Sequence, residues 1–287
     1  MKIVTVATHS DLYLPFLKKS IEKIGLKLEI LGWGQKYTSH HIKDTLMIEY
    51  TEKCKKDDII LFIDGFDSII TENFKDIEKE FIKTKENLIV SIQDHNDLPL
   101  IQKIGFNLDF KPSSNNMYLN TGMYIGYSSY INKMLKNIRL HAGIISQPSN
   151  QVIWQNYFNK YKDKIYLDTE KNFFYNICKK KDVKNIIDKK IKIPFVISAP
   201  SAPFVVSMDK ILKHYGYNIT KKPDYIWGVK KLFYYKKRNF LFRNIATIFL
   251  YLIVKKKNKI DNRIMNIFLI KITLLNLYIL KHKKKII

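Results

Sequence analysis

The chain has 287 residues and a mass of 34.1 kDa, and 46% of its residues are hydrophobic, which suffices for one globular core with an accessory segment. This composition excludes disordered and collagen-like chains, and two cysteines are too few for a disulfide framework. The formal net charge is +24, of which residues 230–287 carry +15, from 16 basic residues and one acidic residue. No cleavable apolar leader precedes the first strand-like residues, so we expect a reducing, cytosolic compartment.

Strand and helix patterns alternate from the start of the chain. A β-branched run predicts a strand over residues 3–7, and a helix-like stretch follows over 12–24. A second strand over 26–31 and a helix around 42–54 come next. The third strand, residues 59–63, is apolar at every position, which is typical of a parallel strand covered on both faces.

The alternation continues further along the chain. Strands are predicted at 88–91, 123–126, 165–167 and 195–197, and a helix at 150–161. Short connections between such elements predict a doubly wound α/β sheet, in which ligands bind beyond the carboxyl ends of the strands. The composition changes after Gly228, so we expect a globular domain over residues 1–228 and a tail over 229–287.

A pair of carboxylates follows the third predicted strand. Asp64 and Asp67 are three residues apart on the loop after a buried strand, where both can converge on one divalent ion. Hard oxygen ligands suit Mg²⁺ or Mn²⁺, which neutralises charge on a departing diphosphate. The alternative is an acidic loop that only solvates a turn, and the spacing alone leaves both open.

The segment from Tyr118 to Tyr127 is the second local signal. Gly122 and Gly126 flank a predicted strand, so the backbone can approach a ligand closely at both ends. Asn120 and Thr121 supply hydrogen-bonding groups there. In isolation the same pattern describes a strand between two turns.

Taken in order, several segments resemble the glycosyltransferase domain of the procollagen lysyl hydroxylases and related collagen-type sugar transferases. The segments are residues 3–8 with Asp11, Leu31-Gly32-x-Gly34, Asp57-Asp58 with residues 61–70, residues 118–122 with 125–127, Gln151, and Leu167-Asp168 with Phe174. The resemblance covers roughly residues 2 to 220. It implies a GT-A fold with a mixed sheet and helices on both faces.

The resemblance also implies roles for the matching positions. Asp64 and Asp67 are expected to hold Mn²⁺ or Mg²⁺, and Asn120 and Gly122 to line the donor sugar. The resemblance further implies that the nucleotide binds at Thr5, Ala7 and Phe66.

Two departures from the family pattern concern the same site. The family carries aspartates before the glutamine, whereas Gln151 here follows Pro148-Ser149-Asn150. The family's later metal-binding histidine corresponds to Ser198. His214 or Asp209 could replace it, although a lone histidine on a helix is more often structural.

These departures leave two interpretations open. The chain either uses other catalytic groups, since transfer depends largely on positioning and on stabilising the departing phosphate, or it has lost activity. We expect an active enzyme because the aspartate pair and the Asn-Thr-Gly segment occur together. The catalytic candidates are Asn150, Gln151 and Asp168, with Asp94 and Asp97 as further acidic groups.

The tail alternates lysine clusters with apolar runs at 240–254 and 264–280, each interrupted by one cation. Spanning a bilayer takes about 20 apolar residues, so these runs predict basic amphipathic helices that lie on an anionic membrane surface. Packing of the apolar faces on the globular domain is the alternative. Nucleic acid binding fits poorly, because it does not require long apolar runs.

Together these features predict a peripheral glycosyltransferase on the cytoplasmic face of the inner membrane. It would use a nucleotide diphosphate sugar, with UDP expected from the resemblance, and a glycan or glycolipid acceptor such as lipooligosaccharide. Collagen is not expected as acceptor, because the chain has neither a leader nor a hydroxylase part. The alternative is a non-catalytic, membrane-associated protein that binds carbohydrate or nucleotide and descends from such an enzyme.

Overall fold

The computed structural model describes residues 1–37, 39–94, 117–142, 150–161, 164–200 and 208–219. Asp97, the predicted boundary at residue 228 and the tail lie outside these residues, so the predictions made for them stay predictions. Within the described residues, no helix combines the length and the hydropathy that crossing a membrane requires.

The elements alternate much as the sequence predicts. In chain order they are β1 (Lys2–Val6), α1 (Leu14–Glu22), β2 (Leu28–Leu31), α2 (His41–Thr51), β3 (Ile59–Ile63), β4 (Ser68–Ile70), a 3-10 helix (Glu72–Asp76), α3 (Ile77–Thr84), β5 (Leu88–Asp94), β6 (Met117–Tyr127), α4 (Ser128–Ala142), α5 (Asn150–Lys160), β7 (Tyr166–Leu167), β8 (Phe174–Asn176), α6 (Lys180–Ile187), β9 (Val196–Ser198) and α7 (Asp209–His214).

The strands form two sheets. The larger has the order β2-β1-β3-β6-β5-β7, and the smaller has the order β4-β9-β8. Strand β1 is parallel to β2 and β3, whereas β6 is antiparallel to both β3 and β5. The predicted α/β class with a mixed sheet is therefore confirmed.

Strand β3 shows why the larger sheet lies at the centre. All five of its residues are buried, and successive side chains point to opposite faces. Ile59, Leu61 and Ile63 pack in a cluster with α1 and α3, while Ile60 and Phe62 pack in a second cluster with α2, α4 and α5. The prediction of a strand covered on both faces is confirmed.

Strand β6 is longer than the sequence predicts. Gly122 and Gly126 lie inside this 11-residue strand instead of flanking a shorter one. The backbone continues through both glycines because β6 pairs with β3 on one side and with β5 on the other. At Gly126 a side chain is excluded, since a Cβ atom would lie 2.7 Å from the Asn87 carbonyl oxygen.

Candidate functional site

The carboxyl ends of β1, β2 and β3 meet at one edge of the larger sheet because the three strands are parallel. Strand β6 runs the other way, so its Asn120–Gly122 segment reaches the same edge. There the Asp64 backbone N–H donates to the Gly122 carbonyl at 2.7 Å. The structure thus brings the aspartate loop and the Asn-Thr-Gly segment together, two signals that are 56 residues apart in the chain.

Gly122 lies directly against the Asp64 carboxylate. A Cβ atom at this position would lie 3.2 Å from Asp64 Oδ2 and 2.9 Å from Asn120 Oδ1. The Asn120 side chain accepts a hydrogen bond from the Gly122 N–H at 2.8 Å and donates to Gln93 at 3.4 Å. Asn120 is therefore held by its neighbours in a fixed orientation at the edge of the sheet.

Asp67 contacts the second sheet. Its Oδ1 atom accepts hydrogen bonds from the hydroxyls of Ser68, at 3.1 Å, and Ser198, at 3.2 Å. Its carbonyl accepts from the Ala199 N–H at 2.8 Å. Ser198, at the position of the family's histidine, thus lies beside one of the two predicted metal ligands.

The predicted nucleotide-binding residues lie at the end of β1 and on the adjoining loop. Ala7 is buried and donates its N–H to the Leu31 carbonyl at 3.0 Å. Phe66 is half-buried, and its ring lies 5.4 Å from that of His9. Thr5 is fully buried, and the described residues offer no hydrogen-bond partner for its hydroxyl.

Lys43 is the main functional candidate that the sequence analysis missed. It lies on α2, and its ammonium group donates a hydrogen bond to Asp64 Oδ1 in an ion pair. Burial alone lowers the pKa of Lys43, but Asp64, Asp67 and Asp44 together hold it above its ordinary value. The ammonium is therefore a permanent positive charge beside the aspartate pair.

Asp44, the next residue, is a buried carboxylate. Its Oδ1 atom accepts hydrogen bonds from Asn150, at 3.1 Å, and from the Trp154 indole, at 3.2 Å. Burial raises the pKa of Asp44 to about 6, and the two hydrogen bonds oppose this rise. The sequence contained a signal that Asp44 is buried. Asp44 shares the helical spacing of the buried Met47, Ile48 and Thr51 on the inward face of α2.

The predicted catalytic residues on α5 are engaged in packing contacts. Asn150 is buried and donates to Asp44, as described above. Gln151 donates its side-chain N–H to the Leu119 carbonyl at 3.0 Å, which ties α5 to β6. Both residues thus hold α5 in place, and their catalytic roles stay predictions.

Asp168 caps a loop. Its carboxylate accepts the backbone N–H groups of Asn172, Phe173 and Phe174, at 3.0, 2.8 and 2.7 Å. Burial raises the pKa of Asp168 above its ordinary value, and these three hydrogen bonds offset only part of the rise. The contacts favour a structural role, and the predicted catalytic role is not tested by them.

Three further residues were candidates for catalysis or for metal binding: Asp94, Asp209 and His214. Asp94 ends β5 opposite Met117 of β6. On α7, Asp209 accepts a hydrogen bond from the Tyr13 hydroxyl at 3.1 Å, and the ring of His214 packs edge-on against Tyr215. These contacts do not bring Asp209 or His214 to the aspartate pair.

Several features of the site bear on the predicted divalent ion. The carboxylates and the Ser198 hydroxyl are hard oxygen donors of the kind that Mg²⁺ and Mn²⁺ prefer. Among the residues that the structure describes, the two carboxylates of Asp64 and Asp67 face one ammonium, that of Lys43, so this part of the site has a formal negative excess. Across the described residues, no group of three or more His, Cys, Asp or Glu side chains forms a metal cluster. The donor chemistry and the charge fit a divalent ion that is held by two carboxylates.

Comparison with known proteins adds an independent observation. The model of the PLOD GT domain family matches residues 1–214. No curated protein matches the chain.

Two solved structures are similar at low identity. One is a glycosyltransferase involved in the glycosylation of the major capsid of PBCV-1, with 12% identity and a TM-score of 0.46, over 76% of this chain and 100% of that one. The other is the galactosyltransferase LgtC in complex with donor and acceptor sugar analogues, with 14% identity and a TM-score of 0.47, over 79% of this chain and 99% of that one. Because the family model spans well over half of the chain, including the strands and loops that form the site, the chain belongs to the PLOD GT domain family of glycosyltransferase domains.

Proposed function

We propose that the protein transfers a sugar from a uridine diphosphate sugar to a hydroxyl group of a glycan or glycolipid acceptor. The observation that carries this proposal is the convergence of Asp64 and the Asn120–Gly122 segment at one sheet edge, with Asp67 three residues further along the same loop. This edge lies within the part of the chain that matches a glycosyltransferase family. Uridine is proposed from the family resemblance.

The reaction makes one bond and breaks another at the anomeric carbon of the sugar. The acceptor hydroxyl attacks this carbon and gives its proton to the departing diphosphate or to water, while the diphosphate leaves with the electrons of the broken C–O bond. Such transfer depends on positioning the two substrates and on stabilising the negative charge of the leaving group. Lys43 has a suitable charge and lies beside Asp64, so we assign it to the diphosphate side of the site.

We further propose that Asp64 and Asp67 hold Mn²⁺ or Mg²⁺. When bound, the ion would supply positive charge to the departing diphosphate. The negative excess of the pair supports this assignment, because a diphosphate would otherwise meet a site of its own sign. The second sheet offers two hydroxyl oxygens beside Asp67, those of Ser68 and Ser198.

The nucleoside is proposed to bind at the end of β1. Thr5 supports this, because its buried hydroxyl has no partner among the described residues and so can bond to a ligand without losing an existing contact. Phe66 offers a half-buried ring on the adjoining loop, and Ala7 is a small buried residue at the strand end. On the sugar side, Asn120 and Gly122 complete the proposed donor pocket.

The acceptor and the cellular location are proposed from the tail. The +15 charge of residues 230–287 and their apolar runs suit an anionic membrane surface, where a lipid-linked acceptor such as lipooligosaccharide is found. We therefore propose a peripheral enzyme on the cytoplasmic face of the inner membrane.

The direct test is thermal stabilisation of the full chain, in detergent, by a panel of nucleotide sugars with and without Mn²⁺. A ligand that binds only the native state raises the unfolding midpoint. We expect a shift that requires both Mn²⁺ and one UDP-sugar and that disappears in Asp64→Ala. Asp58→Ala is the matched control, because Asp58 also pairs with a lysine, Lys2, outside the proposed site. If no donor shifts the midpoint, the donor site is wrong.

The second candidate is a non-catalytic protein that binds nucleotide or carbohydrate. Two residues favour it, because neither supplies a reactive group. They are the serine at position 198 and Asn150, which is buried and hydrogen-bonded to Asp44. Turnover separates the two functions. Release of UDP from the donor that stabilises the chain, even by slow hydrolysis, supports the enzyme, while stabilisation without any UDP release supports the binding protein.

A further inference from the structure

The ion pair between Lys43 and Asp64 is less exposed than the other lysine–carboxylate pairs of the described residues. Its two side chains are only 14% and 23% exposed. The pairs Lys18–Glu22 and Lys136–Glu52, in contrast, are about half exposed at both partners. Surface pairs of that kind contribute little, whereas a charge that is largely withdrawn from water needs its partner. The Lys43–Asp64 contact is therefore a strong local constraint.

The position of this pair brings Lys43 into competition with any cation that binds Asp64. The ammonium contacts Oδ1 of Asp64 in a pair whose side chains are largely withdrawn from water, so a second cation on this carboxylate lies close to the ammonium. Two cations on one carboxylate repel each other, most strongly where water is largely excluded, so Asp64 stabilises each of them less than it would stabilise one alone. A divalent ion on Asp64 must displace the ammonium or share the oxygen with it at a cost.

We propose that Lys43 is an internal counter-ion. It pairs with Asp64 in the absence of donor, and its ammonium moves to the donor diphosphate when a divalent ion binds the Asp64 carboxylate. This inference rests on the proposed donor site. The displaced ammonium loses its hydrogen-bonded partner and keeps only the charge interactions with Asp67 and Asp44 until an anion arrives. Its displacement is costly, because a partly buried charge needs a close partner. Metal alone therefore binds weakly, and metal and diphosphate bind cooperatively.

The cooperativity has a thermodynamic consequence that can be measured. If UDP tightens Mn²⁺ binding by a given factor, Mn²⁺ tightens UDP binding by the same factor. Removing the ammonium abolishes its competition for Asp64 and also its contribution to the diphosphate. A neutral residue at position 43 is therefore expected to strengthen Mn²⁺ binding alone and to weaken the coupling between Mn²⁺ and UDP.

The experiment is calorimetric titration of the full chain with MnCl₂ in the absence of any nucleotide. Lys43→Met keeps most of the length of the side chain without its charge, and Lys43→Gln retains a hydrogen-bond donor toward Asp64 in case the first variant does not fold. We expect both to bind Mn²⁺ about tenfold more tightly than the unaltered chain, which corresponds to about 1.4 kcal/mol. Lys2→Met, which removes the lysine that pairs with Asp58, is the control and should leave the affinity unchanged.

A second titration measures UDP binding at saturating Mn²⁺. The Lys43 variants should bind UDP more weakly than the unaltered chain, so that the coupling factor falls. Equal or weaker Mn²⁺ affinity in both Lys43 variants overturns the inference, as does the absence of Mn²⁺ binding in every protein tested. Neither titration requires sugar transfer, so a chain without turnover can still support the counter-ion role while the proposed enzyme is rejected.

Discussion

Gly122 of β6 lies against the Asp64 carboxylate. In Gly122→Ala the new Cβ atom would meet Asn120 Oδ1 at 2.9 Å and Asp64 Oδ2 at 3.2 Å, so one of these side chains must move. We expect a loss of about 1 to 3 kcal/mol in the free energy of unfolding, together with weaker donor binding. Urea unfolding and UDP-sugar titration measure the two effects.

Gly126→Ala is the control for this substitution. It lies on the same strand, and its Cβ atom would meet the Asn87 carbonyl at 2.7 Å, away from the aspartate pair. It should destabilise the chain at least as much and leave the donor affinity of the folded protein unchanged. Equal losses of donor affinity in both variants would show that Gly122 acts only through stability.

The buried Asp44 carboxylate makes stability depend on pH. Burial raises its pKa from 3.8 to about 6, so between these values the folded chain holds a proton that the unfolded chain releases. The contribution of Asp44 to the free energy of unfolding therefore falls as pH rises from about 4 to about 6, by roughly 3 kcal/mol in total. Urea unfolding of the unaltered chain at several pH values in this range measures the slope.

Asp44→Asn isolates this contribution from that of other carboxyl groups. The asparagine oxygen can still accept the hydrogen bonds of Asn150 and Trp154 without a charge to bury. The variant should be more stable than the unaltered chain at pH 7.5, and its stability should depend less on pH between 4 and 6. An unchanged slope would mean that Asp44 ionises normally in the folded protein.

At the scale of elements, the loop that leads into β8 is organised around Asp168. Asp168→Ala leaves three backbone N–H groups without their acceptor, and we expect a loss of about 2 to 4 kcal/mol in the free energy of unfolding. Donor affinity of the folded protein should be unchanged. A loss of transfer with unaltered stability in the urea measurement would instead support the catalytic role predicted from the sequence.

The elements themselves were predictable where a local pattern determines them. Strand β3 was predicted with the observed ends, because five successive apolar residues suit burial on both faces. The extent of β6 was not predictable. Its glycines are local turn signals, whereas pairing with β3 and β5 keeps the chain extended through them. Strands β4 and β8, three residues each, likewise depend on β9 as their partner.

At the scale of the whole molecule, the charge of the tail predicts salt-sensitive membrane binding. Replacing Lys283, Lys284 and Lys285 with glutamine removes about 3 kcal/mol of attraction, so binding to anionic vesicles should weaken by roughly a hundredfold. Vesicle co-sedimentation of the full chain at fixed salt measures this. The same replacement of Lys180, Lys181 and Lys184, three exposed lysines of α6, is the control and should have little effect.

Two outcomes would contradict the membrane assignment. Equal binding of the unaltered chain to neutral and anionic vesicles would remove the electrostatic basis of the proposal. A preference for DNA over vesicles at the same salt concentration would favour a nucleic acid partner, against the sequence prediction.

The sequence by itself determined the alternation of strands and helices, the aspartate pair after β3, and the family, because these depend on residue order and on local apolar patterns. Only the tertiary structure decided which side chains meet. Lys43 reaches Asp64 across 21 positions, and Asn150 reaches Asp44 across 106. Such contacts arise from the packing of α2 and α5 against the sheet. No local sequence pattern determines how far apart these side chains lie or how their charges compensate each other.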